Sequence, residues 1–235
     1  MGGMKALREI GSAVADILWP AQCHICGQRP GPSSRWLCAK CLRSLPRFAA
    51  TSWDLNPMAR HFAGQVPFER ASAFLEYNAK GMLAPVFHDF KYRGFPSLAR
   101  YMGELAGGGM PDFFDGVETL LPVPMFALKQ LRRGYNQARE IALGLSRATG
   151  IPVGRGLKAI RGHRTQTGMT SAERQANTRG IFRYRPPIGQ LGATVCLVDD
   201  VCTTGSTLLS CARAVLDADP AARLRIFALG AVLDY

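Results

Sequence analysis

The sequence predicts an α/β protein with a mostly parallel sheet flanked by helices, preceded by a small cysteine-rich module. From residue 71 onward, short apolar segments alternate with segments of helical periodicity, which is typical of a parallel sheet. Four of the seven cysteines lie between residues 23 and 41, which predicts a separate N-terminal module. The 235 residues are 47% hydrophobic and 20% charged, a globular composition that excludes disordered and collagen-like classes.

The apolar patterns place strands at residues 73–77, 119–123, 194–199 and 225–233. Helices are predicted at residues 80–92, 97–105, 136–149 and 207–218. In the third helix Asn136 is suited to cap the start and Gly150 follows the end. Its predicted apolar face consists of Ala138, Ile141, Ala142 and Leu145.

We predict three regions: residues 1–48 as an N-terminal helix and metal module, 49–70 as an irregular connector, and 71–235 as the main domain. Residues 1–19 carry apolar side chains at helical spacing, so they predict an amphipathic helix. Asp16 interrupts the apolar stretch there, so we expect no secretory signal and a cytoplasmic protein. The longest apolar run, 226–233, is far below the ~20 residues of a spanning helix, so no membrane span is expected.

Two CxxC pairs, Cys23/Cys26 and Cys38/Cys41, have the spacing of a four-cysteine Zn²⁺ site. Four protein ligands leave no position for a substrate water, so the predicted zinc is structural. Two disulfides are the alternative interpretation, which a reducing cytosol disfavours. His24 lies between two ligands and is interpreted as a bystander. The other cysteines, interpreted as small core residues, are Cys196, Cys202 and Cys211.

The chain carries a formal net charge of +12, and residues 121–198 hold thirteen basic side chains against two acidic ones. Such an imbalance favours an anionic partner, of which phosphate is the first candidate. A solvated basic surface is the alternative interpretation.

The strongest motif is the segment 195–207, VCLVDDVCTTGST. A buried strand ends in Asp199 and Asp200, and a hydroxyl-rich loop with Gly205 leads into a helix. Backbone N–H groups at a helix start bind anions, and glycine permits close approach of the chain to the anion. Adjacent carboxylates suit sugar hydroxyls and a hydrated Mg²⁺, so the motif predicts a ribose 5-phosphate site. The predicted phosphate-binding residues are Thr203, Thr204, Gly205, Ser206 and Thr207.

This segment resembles the phosphoribosyl pyrophosphate (PRPP) signature of type I phosphoribosyltransferases. The cysteine module, FKYRG at 90–94, LPVP at 121–124, RGYNQA at 133–138 and the segment 164–180 resemble, in that order, the ComF family. Members of that family are bacterial competence proteins with a zinc ribbon and a phosphoribosyltransferase-type domain, associated with uptake of single-stranded DNA during natural transformation. The resemblance implies a type I phosphoribosyltransferase-like fold.

The resemblance also implies roles for individual residues. The loop after residue 123 would touch pyrophosphate, with Lys129, Arg132 and Arg133 just beyond it. Residues 162–180 resemble the mobile loop that closes over a transferase site, bringing Arg164 or Arg174 to the leaving group. With Asp199 and Asp200 holding the ribose and Mg²⁺ binding with PRPP, the candidate reaction displaces pyrophosphate from C1 of PRPP. The acceptor is not readable from the sequence.

Two other function classes stay open. A non-catalytic protein could bind single-stranded DNA through the basic segment, with Arg132, Arg133, Arg164 and Arg174 as first candidates and aromatic residues such as Tyr135, Phe182 and Tyr184 as stacking partners. A zinc-stabilised scaffold could instead dock a competence helicase or another DNA-uptake protein through its amphipathic N-terminus.

Overall fold

The computed structural model describes residues 21–31, 34–49, 52–160, 180–187 and 192–233. The predicted N-terminal helix at 1–19, together with Arg164 and Arg174, lies outside these residues. The chain divides into two compact units, Met1–Leu45 and Pro46–Tyr235.

In the first unit, helix α1 spans Ala39–Arg43 and begins at Cys38, whose Sγ accepts a hydrogen bond from the Cys41 backbone N–H. A tight turn precedes it in the chain, where the Gly27 N–H donates to the Cys23 carbonyl at 2.9 Å and Gly27 has φ +72°. A left-handed conformation of this kind favours glycine because it lacks a Cβ.

The second unit is built on a four-stranded parallel sheet. Its strands are β1 (Arg70–Glu76), β2 (Thr119–Pro122), β5 (Thr194–Cys202) and β6 (Arg223–Ala231), in the order β1-β6-β5-β2. A short antiparallel pair adds β3 (Lys158–Ala159) and β4 (Phe182–Arg183). The helices are α2 (Ala84–Tyr92), α3 (Pro96–Gly109), α4 (Pro111–Phe114), α5 (Ala127–Arg133), α6 (Gln137–Thr149) and α7 (Ser206–Ala218), with a 3-10 helix at Ala59–His61.

Helices cover both faces of this sheet. Alternate residues of the strands, such as Ile226 in β6, share one core cluster with Leu208 and Val215 of α7. The intervening residue Phe227 points to the opposite face, where its ring packs against those of Phe113 and Phe114 in α4. The predicted α/β fold class, a mostly parallel sheet flanked by helices, is confirmed. All four predicted strands and all four predicted helices exist, with ends that differ from the prediction by at most four residues.

Residues 49–70, expected to be an irregular connector, contribute to the core of the second unit. Met58, Ala59 and Phe62 are fully buried in the main cluster. Asn56, also buried, donates from Nδ2 to the Ala71 carbonyl of β1 at 2.7 Å and accepts from the Ala59 N–H at 3.0 Å. One amide side chain therefore attaches this segment to the edge of the sheet, a long-range contact that the local sequence does not reveal.

Helices α3 and α6 pack with their backbones in close contact. A Cβ on Gly144 would lie 1.9 Å from the Arg100 carbonyl oxygen, and one on Gly103 would lie 2.2 Å from that of Ile141. The ion pair between Arg100 and Glu140 adds a polar contact between the same helices. Only glycine at these two positions permits this approach of the two helices.

Candidate functional site

The carboxyl ends of β2 and β5 lie side by side because the two strands are parallel neighbours. Pro122 is in register with Val198, and the Val123 N–H donates to the Val198 carbonyl at 2.8 Å. The loop after β2 and the acids after Val198 therefore meet at one edge of the sheet, the edge formed by the carboxyl ends of its strands. In open parallel sheets this edge is where ligands bind.

A cavity of about 230 Å³ opens at this edge. It brings together Asp199, Asp200, Thr207 and Arg133, four of the residues predicted to bind ligand. Its other lining residues are Val123, Pro124, Met125, Phe126, Asn136, Gln137, Ala138, Phe182 and Val201.

The two acids occupy different electrostatic environments. Burial raises the pKa of Asp199 to about 8, and the neighbouring charge of Asp200 adds to this effect. Asp200 Oδ2 lies 3.0 Å from Lys91 Nζ in an ion pair whose side chains are both more than four-fifths buried. The arrangement favours a neutral Asp199 at neutral pH, so this carboxyl group can donate as well as accept a hydrogen bond.

The loop predicted to bind phosphate has the exposure that this role requires. Thr203, Thr204, Ser206 and Thr207 are all exposed, and helix α7 starts at Ser206. The first N–H groups of a helix have no carbonyl partner within that helix, so they are suited to an anion.

Gly205 is buried in this loop, and the structure shows reasons for a glycine there beyond the one expected from the sequence. It adopts a left-handed conformation with φ +69°, and a Cβ would lie 2.8 Å from the His61 Cβ and 3.2 Å from the Phe62 ring. The glycine is therefore required by the turn and by packing on the segment 59–62, in addition to any closeness to an anion.

Arg133 is held at the rim of the cavity. Its guanidinium lies 5.1 Å from the centre of the Tyr92 ring, and Nη1 donates to Gln137 Oε1 at 3.3 Å. The adjacent Asn136 caps α6 as predicted, accepting from the Arg139 N–H, while its Nδ2 donates to the Val123 carbonyl at 2.9 Å. The start of α6 is thereby tied to the loop after β2.

The other predicted site residues are placed as follows. Arg132 is exposed near the end of α5, and Lys129 belongs to the same helix. The aromatic residues proposed as stacking partners for DNA are not exposed: Phe182 and Tyr184 are buried, and the Tyr135 hydroxyl donates to the Phe90 carbonyl. They pack in the domain because each ring removes a large apolar area from water.

Lys91, Tyr92 and Gln137 contribute to the site but were not singled out from the sequence. All three lie in the segments 90–94 and 133–138 that carry the family resemblance. Their position at the site depends on how α2 packs beside α5 and the end of β5, which local sequence does not determine.

The four cysteines of the first unit can hold a metal ion. Their Sγ atoms all lie within 4.8 Å of one another, and the Cys26 and Cys38 sulfurs are 3.7 Å apart. Sulfurs at 2.3 Å from a central zinc ion would be separated by about 3.8 Å, so the cluster fits tetrahedral Zn²⁺. All four are free thiols, which argues against the disulfide alternative. The His24 ring lies 5.6 Å from that of Trp36.

The local environment also favours ionisation of two of these thiols. Burial raises the pKa of Cys23, but backbone N–H groups around Cys26 and Cys38 outweigh it and bring the pKa down to about 7. The Cys41 backbone N–H lowers the pKa of Cys38. Thiolate is the form that binds metal.

The fold and this site define an α/β protein with a parallel sheet, a cavity at the carboxyl ends of its strands and an N-terminal four-cysteine module. No family model matches the chain. The chain is 39% identical to "Competence protein F" of Haemophilus influenzae over 93 residues, which are 39% of this chain and 41% of that protein. The chain thus matches less than half the length of that relative. It is 27% identical to "DNA utilization protein YhgH" of Salmonella typhi over 83% of this chain and 77% of that protein.

A third relative, "Competence protein ComFC" of Bacillus subtilis, is 25% identical over 65% of this chain and 61% of that protein. By these relatives the chain is similar to the ComF family. Among solved structures, one titled "structure of the allosteric regulatory enzyme of purine biosynthesis" aligns with 59% of this chain and 29% of its own, at 20% identity and a TM-score of 0.36. No helix in the described part of the chain has the length and apolar character needed to cross a membrane.

Proposed function

We propose that this protein binds PRPP, or a related ribose 5-phosphate ligand, with Mg²⁺ in the cavity at the ends of β2 and β5, and that it acts in DNA uptake during natural transformation. The observation that carries the first part is the meeting of Asp199, Asp200 and Thr207 with Arg133 around one cavity. The similarity to relatives named as competence proteins supports the second part.

In this proposal the ligand spans the cavity in one orientation. The 5-phosphate occupies the loop from Thr203 to Thr207, where hydroxyls and the first N–H groups of α7 donate to it. Asp199 and Asp200 bind the ribose hydroxyls, and the diphosphate extends toward Arg133. Lys129, Arg164 and Arg174 stay predicted partners of the diphosphate.

The candidate chemistry is transfer of the phosphoribosyl group. The bond from C1 to the diphosphate oxygen breaks, a bond from C1 to an acceptor atom forms, and pyrophosphate leaves with the electron pair. Asp199 and Asp200 would hold the Mg²⁺ that accompanies the ligand, and this ion would supply positive charge to the leaving group. The basic side chains act in the same sense, so the protein would contribute mainly by orientation and electrostatics.

Thermal unfolding with and without Mg²⁺-PRPP tests the binding, because a ligand that binds only the folded state raises its apparent stability. We expect the melting temperature to rise at millimolar ligand, and the rise to disappear in an Asp199→Asn, Asp200→Asn double variant. The matched control, Asp112→Asn with Asp217→Asn, removes two exposed acids outside the cavity and should keep the rise. No rise in the unsubstituted protein would refute the proposed ligand.

Binding of single-stranded DNA is the second candidate function. The observation that favours it is the Tyr92 ring, which is 65% exposed and lies against the Arg133 guanidinium at the rim of the cavity. An exposed aromatic ring beside an arginine suits a base and its phosphate. This candidate needs no chemistry at C1, so DNA affinity without any PRPP-dependent stabilisation would favour it.

The cysteine module completes the proposal. We infer that Cys23, Cys26, Cys38 and Cys41 hold one structural Zn²⁺, which would stabilise the first unit since that unit has few residues with which to build an apolar core. A helicase or another DNA-uptake protein stays a predicted partner.

A further inference from the structure

Gln137 carries a buried amide nitrogen that the protein does not satisfy. The residue is the first of α6, is only 1% exposed and lines the cavity. Its Nε2 has no hydrogen-bond partner among the described residues. No other buried side-chain nitrogen or oxygen in the described part of the chain lacks a partner. Buried polar groups without partners are rare in native proteins and call for an explanation.

The orientation of this amide is set by Arg133. A guanidinium only donates hydrogen bonds, so the group that faces Arg133 Nη1 at 3.3 Å is the oxygen Oε1. Rotating the amide by half a turn would place two donors against each other. Arg133 is in turn fixed by the Tyr92 ring and hydroxyl. These contacts define the orientation of the amide, and in this orientation the Nε2 of Gln137 has no acceptor.

The missing partner is a hydrogen-bond acceptor, because Nε2 only donates. Among the residues that line the cavity, the side chains of Val123, Pro124 and Phe126 offer no acceptor, and the charged group in contact with Gln137 is the guanidinium of Arg133. A positive charge beside an amide donor suits an anionic oxygen. In the proposed orientation Asp199 and Asp200 bind ribose hydroxyls, so the anionic oxygen would bind at the Arg133 side of the cavity.

We propose that Gln137 is a ligand-binding residue that donates from Nε2 to a diphosphate oxygen of the bound ligand, beside Arg133. This inference rests on the proposed function, since it assigns a residue to one end of the same ligand. Nε2 is shielded from solvent in the structure, so the contact requires a change of the Gln137 rotamer toward the cavity on binding.

A ligand-binding role and a structural role for Gln137 predict different effects of its substitution on stability. Methionine has a length similar to that of glutamine and leaves no buried donor, so Gln137→Met should fold at least as well as the unsubstituted protein when ligand is absent. A side chain that stabilised the fold through its amide would show a lower melting temperature on the same change.

The experiment measures affinity by calorimetry for Mg²⁺-PRPP, Mg²⁺-pyrophosphate and ribose 5-phosphate. In Gln137→Met we expect affinity for PRPP and pyrophosphate to fall roughly tenfold, as for loss of one hydrogen bond to a charged group. Ribose 5-phosphate lacks the diphosphate, so its affinity should not change. The control Gln130→Met alters an exposed glutamine of α5 and should bind all three ligands like the unsubstituted protein.

Each other outcome is decisive. Unchanged PRPP affinity in Gln137→Met would overturn this inference alone, as would an equal loss for ribose 5-phosphate. Failure of the unsubstituted protein to bind any of the three would overturn the proposed function as well. If Gln137→Met does not fold, Gln137→Glu replaces it, since it keeps an oxygen for Arg133 but lacks the donor and should bind PRPP more weakly still. If neither folds, the residue is structural and the inference is wrong.

Discussion

Lys91 Nζ lies 3.0 Å from Asp200 Oδ2, so the end of helix α2 supplies a cation to the acid pair at the end of β5. Both side chains are more than four-fifths buried, and Asp199 adjoins the pair in the chain. Without Lys91, the mostly buried Asp200 would lie beside a second carboxyl group with its cation removed. The ion pair thus explains how the protein holds two acids together before any ligand binds.

Replacing Lys91 by Met should lower the free energy of unfolding by about 1–3 kcal/mol, because it leaves Asp200 mostly buried and without its cation. Urea unfolding measures this. The double variant Lys91→Met, Asp200→Asn removes both charges and should recover part of the loss. If the effects of the two single changes add, the residues do not interact energetically in solution.

The acid pair also predicts how stability depends on pH. Asp199 has an ordinary pKa of 3.8 and a folded-state pKa of about 8, so between these values the folded protein binds more protons than the unfolded chain. Stability without ligand should therefore decline as pH rises from about 4 to about 8 and level off above that.

Asp199→Asn cannot ionise, so the variant should lack this part of the decline and be more stable than the unsubstituted protein at pH 8. Urea midpoints at pH 5 and pH 8 provide the comparison, and Asp112→Asn, at an exposed position, serves as control. If the stability of the unsubstituted protein relative to Asp199→Asn increases from pH 5 to pH 8, the raised pKa of Asp199 is contradicted.

Zinc analysis of the reduced protein should find one ion per chain. Cys38→Ser should bind substantially less, because three thiolates with a weak fourth ligand hold the ion poorly. Cys211→Ala changes a buried cysteine of α7 and should keep the full zinc content. Zinc well below one ion per chain in the unsubstituted protein, or unchanged zinc in Cys38→Ser, would refute the site.

Glycine at position 144 should be essential for the packing of α3 on α6. A Cβ there would lie 1.9 Å from the Arg100 carbonyl oxygen, so Gly144→Ala should cost about 2–3 kcal/mol in unfolding free energy. Gly108 lies in α3 with open space where its Cβ would be, so Gly108→Ala should stabilise by roughly 0.5–1 kcal/mol. Equal effects of the two changes would show that the helices are not in close contact.

If the protein binds single-stranded DNA through four basic contacts, the slope of log affinity against log salt should be roughly −3, since each neutralised phosphate contributes about 0.7. Arg132→Ala, at an exposed position, should reduce that slope by about 0.7 and weaken all sequences alike. Fluorescence anisotropy with and without Mg²⁺-PRPP, at equal Mg²⁺, then tests for a shared cleft. A binding signal insensitive to salt would discard this role for the isolated chain.

The sequence by itself determined the elements of the fold and the chemistry available to the site. Strand β5 is recognisable from its apolar run, helix α6 from its periodicity and its Asn136 cap, and the cysteine module from its spacing. These signals are local, because hydrophobic period, capping and ligand spacing are each encoded within about a dozen residues. Asp199 and Asp200 were identified for the same reason.

Only the tertiary structure decided which of these groups act together. Lys91 precedes Asp200 by more than a hundred residues and meets it only because α2 packs beside the end of β5. The unsatisfied amide of Gln137, the core role of Phe62 and the steric need for Gly144 likewise depend on neighbours distant in sequence. Packing contacts and the electrostatic environment of a buried group are sums over such neighbours, so no local pattern in the chain specifies them.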